Sequence, residues 1–177
     1  QKAAGLIAWL NSLTQSAEPD FAECRQMLGS HFPLLHEFEA TEQDPQWHAE
    51  GNVAIHTDMV LTALYSLLRV NTDSLHGEKR QILILAALLH DIAKPLTTRH
   101  KEINGLSRVV ATGHESQGMS YLALRLITLP LPYSVIHQVM GLVGYHQMPK
   151  LLVIKNTGYS GYLKLAINAD LALLYWL

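Results

Sequence analysis

ILILAALLHDIAKP, residues 82–95, is the stretch that decides the fold of this chain. Its first eight residues are all apolar, so a helix that contains them has no polar side to present to water. The ionisable pair His90-Asp91 follows directly, and Pro95 marks the end of the segment. The stretch therefore predicts a central, buried helix from Glu78 to about residue 93, with an imidazole and a carboxylate near its end.

Helical spacing of apolar residues extends over most of the remaining chain, as at Leu6, Leu10 and Leu13. The predicted fold class is all-α, a helical bundle. Further helices are predicted at residues 2–14, 21–28 after the candidate cap Asp20, 33–39, 53–70, 114–128 after Gly113, and 133–145, and from 159 onward after a loop that contains Pro149 and Gly158. The exception is a small β-hairpin excursion near residues 97–111, which the turn-forming pair Asn104-Gly105 predicts.

Composition bounds the class of protein. With 177 residues, 49% of them hydrophobic and 16% charged, the chain is expected to form one domain with a sizeable core. The formal net charge of −2 implies no general attraction to nucleic acid or anionic lipid. The longest apolar run, residues 82–89, is too short to span a bilayer, which takes about 20 residues. The single cysteine, Cys24, excludes an intrachain disulfide and makes the cytoplasm the expected compartment.

The expected organisation is a set of N-terminal helices at residues 1–43 that pack on a core domain at residues 44–177. The N-terminal helices either cover the core or form a homodimer face, and composition leaves both open. The chain starts at Gln1 rather than Met, and its final apolar segment, residues 171–177, has no cap. A longer protein with an additional domain beyond Leu177 is therefore an open expectation.

Histidine is the one anomaly of composition, at ten residues. His56, the pair His90-Asp91, His114 and His146 fall at predicted helix ends, where helices of a bundle can direct side chains into one cavity. Burying an ionisable pair is costly without a partner, and a divalent cation satisfies both imidazole and carboxylate. A hydrogen-bonded helix end, where histidine also suits the helix dipole, is the alternative.

Lys94 lies three positions after Asp91, about one helical turn away. A lysine in that position can hold a phosphate beside a metal. A solvated lysine at a helix end is the alternative interpretation.

The motifs taken in order resemble a known family. His56, HDIAKP at 90–95, GHE at 113–115, His146 and Ala169-Asp170 resemble the HD superfamily of metal-dependent phosphohydrolases. HAEGNVAIHT at 48–57 and HDIAKPLTT at 90–98 are particularly similar to the HD domain of bacterial tRNA nucleotidyltransferases, the CCA-adding enzymes, and of related RNA-end-processing proteins. The resemblance covers about residue 44 to the C-terminus.

The resemblance implies a site with one or two divalent metals. The first metal would be held by His56, His90, Asp91 and Asp170. In members with two metals, Asp91 would bridge and the second metal or a phosphate would be held by His114 and His146. Two departures stand out: Ala93 occupies a position that is commonly Gly, and the chain ends seven residues after Asp170, so an acid beyond Leu177 is the alternative fourth ligand.

The implied function is hydrolysis of a phosphomonoester or cyclic phosphodiester of a nucleotide or RNA end, with Asp91 and Lys94 as catalytic residues and no membrane partner. The cofactor is expected to be Mn, Ni, Co, Fe, Zn or Mg, and a histidine-rich ligand set favours the transition metals. The alternative is a metal-binding or regulatory HD module with little catalysis, which serves a neighbouring nucleotidyltransferase or kinase-type domain. A di-iron oxygenase, known in the superfamily, has no supporting motif here.

The remaining histidines and basic residues have simpler interpretations. His137 precedes His146 by nine positions, which places it on the opposite helix face, outside the site. Surface positions are expected for His31, His36, His76 and His100, while His48 and Glu50 either border the substrate entrance or have a structural role in their loop. An ordinary solvated hairpin is the favoured interpretation of the basic cluster Arg99, His100, Lys101 and Arg108.

Overall fold

The computed structural model describes residues 2–46, 49, 51–155 and 158–177. It is mostly helical. In chain order the helices are α1 (Lys2–Ser12), α2 (Phe21–Leu28), α3 (Val53–Val70), α4 (Glu78–Leu89), α5 (Lys94–Thr97), α6 (His114–Ala123), α7 (Tyr133–Tyr145), α8 (Met148–Lys155), α9 (Gly158–Asn168) and α10 (Leu171–Trp176), with 3-10 helices at Pro33–Ala40 and Leu126–Thr128.

Helix α4 is the centre of the bundle. Every residue from Arg80 to Leu89 is buried, because α3 and α7 pack against α4 and enclose its apolar surface. Helix α6 in turn packs against α7, which brings the start of α6 close to the end of α4. The prediction of a buried central helix is confirmed.

Side-chain caps set the start of α2 and α3, as one also does for α10. The carboxylate of Asp20 accepts a hydrogen bond from the backbone N–H of Glu23 at 2.8 Å, and the Asn52 amide oxygen accepts one from Ile55 at 3.0 Å. Each satisfies an amide that has no partner inside its helix. The cap at Asn52 begins α3 one turn before His56 and so places that histidine near the helix start.

The predicted β-hairpin is present between α5 and α6. Strand β1 (Arg99–Ile103) pairs antiparallel with β2 (Leu106–Val110), and Lys101 lies opposite Arg108. Asn104 and Gly105 have φ angles of 53° and 75°. Positive φ at both central residues is what a two-residue turn of the I′ type requires.

Two prolines lie in the first turn of a helix, although the sequence analysis placed one at the end of a helix and the other in a loop. Helix α4 ends at Leu89, and Pro95 lies in the first turn of α5. Pro149, predicted in a loop, lies in the first turn of α8. Proline lacks an N–H, and the first turn of a helix does not use it, so both positions tolerate the ring.

Three predicted helices differ in form. Residues 33–40 form a 3-10 helix, and the helix predicted to run to residue 128 ends at Ala123 and is followed by a 3-10 turn. The last predicted helix is interrupted between Asn168 and Leu171, where Asp170 caps α10. A capping carboxylate competes with helix continuation, because it binds the backbone amides that a continuous helix would use.

Buried polar side chains bind the N-terminal segment to α4. The Arg80 guanidinium donates hydrogen bonds to the carbonyl oxygens of Leu13 and Ala17, both at 2.7 Å. The Gln81 amide donates to the Leu10 carbonyl, also at 2.7 Å. These contacts satisfy carbonyl groups that follow or end α1 and attach the N-terminal segment to α4.

Among the described residues, α3 is the one helix long and apolar enough to cross a membrane by length and composition alone. Core helices of globular proteins pass the same test. Seven residues of α3 are buried, including Leu61 and Leu64, and the helix packs against α4. The feature is therefore weak evidence against the prediction of no transmembrane helix.

We expect Arg80→Met to lower the free energy of unfolding by about 1–3 kcal/mol, because the carbonyls of Leu13 and Ala17 lose a buried charged donor. Lys79→Met is the matched control: it removes the same charge at the neighbouring, exposed position and should change stability by less than about 0.5 kcal/mol. Urea unfolding followed by circular dichroism measures both. Equal unfolding midpoints for the two variants would show that these hydrogen bonds do not stabilise the N-terminal segment.

Candidate metal centre

The carboxylate of Asp91, only 1% exposed, is surrounded by four imidazoles. Its Oδ2 atom lies 3.1 Å from His90 Nε2 and 3.7 Å from His56 Nε2. Its Oδ1 atom lies 3.1 Å from His114 Nε2 and 4.0 Å from His146 Nε2. Two groups of potential metal ligands result, one with His56 and His90 and one with His114 and His146, and Asp91 is common to both.

These histidines lie at helix termini. His56 is in the first turn of α3, His114 is the first residue of α6, and His90 and His146 directly follow α4 and α7. A helix terminus lets a side chain leave the packed helix surface and enter a shared cavity. The sequence analysis predicted this convergence, and the structure brings these five residues together.

Each of three imidazoles is oriented by its own backbone carbonyl. His90, His114 and His146 each contact the carbonyl oxygen of the residue three positions earlier through Nδ1, at 2.8, 2.8 and 2.7 Å from Ala87, Ala111 and Val143. A carbonyl oxygen only accepts, so Nδ1 carries the proton in each ring. Nε2 is then the ring atom that faces Asp91, and it can donate to the carboxylate when protonated or offer its lone pair to a metal when neutral, as in metal-binding histidines.

One buried oxygen lacks a hydrogen bond. Within the described part of the chain, Asp91 Oδ2 has no hydrogen-bond partner of acceptable geometry, although Lys94 Nζ is 2.8 Å away. A buried carboxylate oxygen without a hydrogen bond is costly, and a bound cation would remove that cost. Imidazole and carboxylate donors this close together suit a divalent ion with ligand distances of about 2.0–2.2 Å. The residues present therefore fit a metal, and the imidazoles favour a transition metal over Mg.

Charges within the cluster shift its protonation. Burial raises the pKa of Asp91, but the His90 charge, the close Nε2 atoms of His114 and His90, and the Lys94 ammonium outweigh it and hold the pKa well below its usual range. Burial lowers the pKa of His114, and the hydrogen bond and charge of Asp91 overcome that effect and raise it. Burial and the neighbouring His90 lower the pKa of His146 to about 3. Asp91 is thus ionised and His146 neutral near pH 7, the forms that bind metals.

Lys94 is buried, with 8% of its surface exposed, so the alternative of a solvated lysine is wrong. Its Nζ atom lies 2.8 Å from Asp91 Oδ2 and donates a hydrogen bond to Gln43 Oε1 at 2.5 Å. Sequence reasoning missed Gln43. The residue lies in a segment without periodicity, 51 positions from Lys94, and no local signal points to the contact.

Asp170, predicted as the fourth ligand of the first metal, is in neither group of ligand atoms that the described residues form. Its carboxylate accepts a hydrogen bond from the backbone N–H of Leu173 at 3.1 Å and caps α10. It lines a different cavity, together with His137. His137 is outside the histidine cluster, as its helical position predicted.

Two neighbouring cavities give access to the site. The first, of about 290 Å³, is lined by His56, His90, Asp91 and His146. The second, of about 460 Å³, is lined by His114, Gln43, Val109 and Lys150. Lys94 and Gln147 line both, so a molecule in the larger cavity lies next to the ligand cluster.

The basic residues of the hairpin are largely paired. Arg108 binds the Asp44 carboxylate through two nitrogens, at 2.5 and 2.9 Å, and His100 lies 3.3 Å from a Glu42 oxygen. Arg99 donates to backbone carbonyls of its own turn. His31, His36, His76 and His100 are exposed or half-buried, as predicted, and His48 and Glu50 lie outside the described residues.

Comparison with known proteins gives one match. The family model described as HD domain matches residues 53–166. That range contains all four clustered histidines, Asp91 and Lys94, and it ends before Asp170. No curated protein and no solved structure matches the chain.

We expect the purified chain to bind one or two equivalents of a divalent transition metal, and His90→Ala to lose metal because it removes a ligand. His137→Ala, a histidine outside the cluster, is the matched control and should retain the wild-type content. Elemental mass spectrometry after reconstitution with Mn, Co, Ni or Zn and desalting measures this, on protein purified without a chelator or metal-affinity tag. An absence of metal from the wild type, or an unchanged content in His90→Ala, would contradict the site.

A second pair of variants tests the position of Asp170. Serine is also a good cap, so Asp170→Ser should keep both stability and metal content, whereas Asp170→Ala should cost about 1 kcal/mol of stability and leave the metal bound. Urea unfolding and elemental mass spectrometry give the two readouts. Loss of metal from a stably folded Asp170→Ser would instead make Asp170 a ligand, as the resemblance implies.

Proposed function

We propose, because this chain belongs to the HD domain family, that it is a metal-dependent phosphohydrolase. The observation that carries the proposal is the Asp91 carboxylate, shared by two groups of histidines and contacted by a buried lysine. A site with negative phosphoryl oxygens as its target needs concentrated positive charge in a shielded place. Divalent ions held by the ligand groups, together with the Lys94 ammonium, would supply this positive charge.

Each residue has a distinct role in this proposal. His56, His90, Asp91, His114 and His146 hold one or two divalent ions. When bound, such an ion lowers the pKa of water toward neutrality and withdraws charge from phosphoryl oxygens. Asp91 orients the ligand cluster through both of its oxygens, and Lys94 donates to a phosphoryl oxygen from the side that faces the larger cavity.

We further propose that the substrate is a phosphomonoester or cyclic phosphodiester of a nucleotide or RNA end. The support for the nucleotide is the similarity of residues 48–57 and 90–98 to the HD domain of bacterial tRNA nucleotidyltransferases. The larger cavity supports an organic group of moderate size, since 460 Å³ falls within the usual range of small-molecule sites. Amide groups of Gln43 and Gln147 and the apolar side chain of Val109 line it, and both kinds of surface suit a nucleoside.

We expect metal-reconstituted protein to hydrolyse at least one member of a panel of p-nitrophenyl phosphate, 2′- and 3′-nucleotides, 2′,3′-cyclic nucleotides and RNA oligonucleotides with terminal phosphates. His90→Ala and Asp91→Asn should abolish turnover because they remove metal ligands. Lys94→Met should lower kcat/KM about 10²- to 10³-fold and keep the metal, since it removes one charge-stabilising donor. His137→Ala is the control with wild-type rates. Phosphate release or chromatography of the products measures turnover by the wild type and by the four variants.

Two results would contradict the proposal. Stoichiometric metal with no turnover on any substrate would indicate a metal-binding or regulatory module. Turnover that survives both His90→Ala and Asp91→Asn would show that the hydrolysis takes place away from this cluster.

A further inference from the structure

We propose that Gln43 is a positioning residue for Lys94, and that the contacts between residues 42–46 and the hairpin keep Gln43 in its position beside Lys94. The proposal rests on the proposed function in one respect, namely that Lys94 faces a phosphate group. It concerns a residue that lies outside the range matched by the family model.

The first step is the contact itself. Gln43 and Lys94 are 6% and 8% exposed, and the amide oxygen of Gln43 lies 2.5 Å from Lys94 Nζ. The ammonium donates one N–H to Gln43, and its charge pairs with Asp91 Oδ2 at 2.8 Å without a hydrogen bond of acceptable geometry. A lysine ammonium has three N–H donors, so donors remain for a phosphoryl oxygen. Because Gln43 and Asp91 are both fixed in the protein, the Nζ atom is held in place between them.

The chemistry of the acceptor matters. A second carboxylate at this position would cancel the charge of Lys94, whereas a neutral amide orients the ammonium and leaves its charge available. A bound cation would compete with Lys94 for Asp91, because Asp91 belongs to a ligand group with His56 and His90. When Asp91 is engaged by a cation, the amide of Gln43 still holds the lysine.

The position of Gln43 is fixed from two sides. Its backbone N–H donates to the Gly51 carbonyl at 3.1 Å, next to the start of α3. On the other side, the neighbouring Asp44 accepts two hydrogen bonds from Arg108 and one from the backbone N–H of Val109 at 3.2 Å. Two-pronged pairing of arginine with a carboxylate is geometrically specific. The hydrogen bond from Arg108 also lowers the pKa of Asp44, so the pair stays ionised near pH 7.

The hairpin therefore has a role beyond its own turn. Arg108 on β2 holds Asp44, Asp44 places Gln43, and Gln43 orients Lys94. Nothing in this series of contacts involves the imidazoles that bind metal. Disturbing it should weaken the recognition of phosphate and leave metal binding unchanged.

The test measures the affinity of inorganic phosphate for the metal-reconstituted chain by isothermal titration calorimetry. Gln43→Met keeps the size of the side chain and removes the acceptor, and we expect it to weaken phosphate binding about tenfold, the effect of one good hydrogen bond. Arg108→Met should weaken it in the same direction by a smaller factor. Gln26→Met, the same change at an exposed position on α2, is the matched control with wild-type affinity. Elemental mass spectrometry should give the same metal content for every variant.

A double variant separates positioning from a direct or merely structural role. In the Lys94→Met background, Gln43→Met should have no further effect on phosphate affinity beyond about twofold, because a positioning residue acts only through its target. Independent, multiplicative effects of the two changes would overturn the proposal, as would loss of metal in Gln43→Met. If Gln43→Met does not fold, Gln43→Ala takes its place in the same cycle.

The failure of this proposal is distinguishable from failure of the proposed function. Absence of turnover with phosphate binding and the predicted cycle intact would contradict the hydrolase and keep the role of Gln43. Normal turnover together with independent effects of Gln43→Met and Lys94→Met on phosphate affinity would support the hydrolase and contradict the role of Gln43. Absence of phosphate binding by the wild type would overturn the positioning role, since Lys94 would then face no oxyanion.

Discussion

The burial of one carboxylate constrains the rest of this structure. Asp91 follows a helix that is apolar on every side, so its charge lies where water cannot stabilise it. Such a group persists only if the surrounding elements bring compensating donors, and they do: α3, α4, α6 and α7 each supply a histidine, and α5 supplies Lys94. The helix contacts that pack the bundle are thus the contacts that bring the side chains of the site together.

A common local device prepares the histidines for this task. In three of them a carbonyl three residues earlier accepts a hydrogen bond from Nδ1–H, and Nε2 is directed at Asp91. The carbonyls at the ends of α4 and α7 have no partner inside the helix, so the imidazole satisfies them at no cost to the fold. The alternative considered for His90, a hydrogen-bonded helix end, is therefore compatible with a ligand role: one ring nitrogen caps the helix and the other faces the site.

Sequence reasoning predicted the parts of the structure that depend on local pattern. Residues close together in the sequence determine three of these elements: the apolar run of α4, the capped start of α3 and the Asn104-Gly105 turn. It was wrong where two local signals compete, as at Pro95, whose ring suits the first turn of a helix as well as it suits a helix end. It had no access to Gln43, because a contact between distant segments leaves no periodic or spacing signal.

The contacts of Lys94 show why such distant residues matter for chemistry. A lysine next to a metal ligand has two competing uses, since it can neutralise the carboxylate or serve an incoming anion. Pairing with Asp91 alone would favour the first use. The amide of Gln43 shifts the balance, because it shares the ammonium without adding negative charge. The hairpin, which lies at the edge of the bundle and contributes little to the core, thereby gains an influence on the centre of the site through Arg108 and Asp44. In the function proposed for this chain, a fold built around a buried carboxylate would tune the recognition of phosphate from its periphery while the ligand cluster itself stays unchanged.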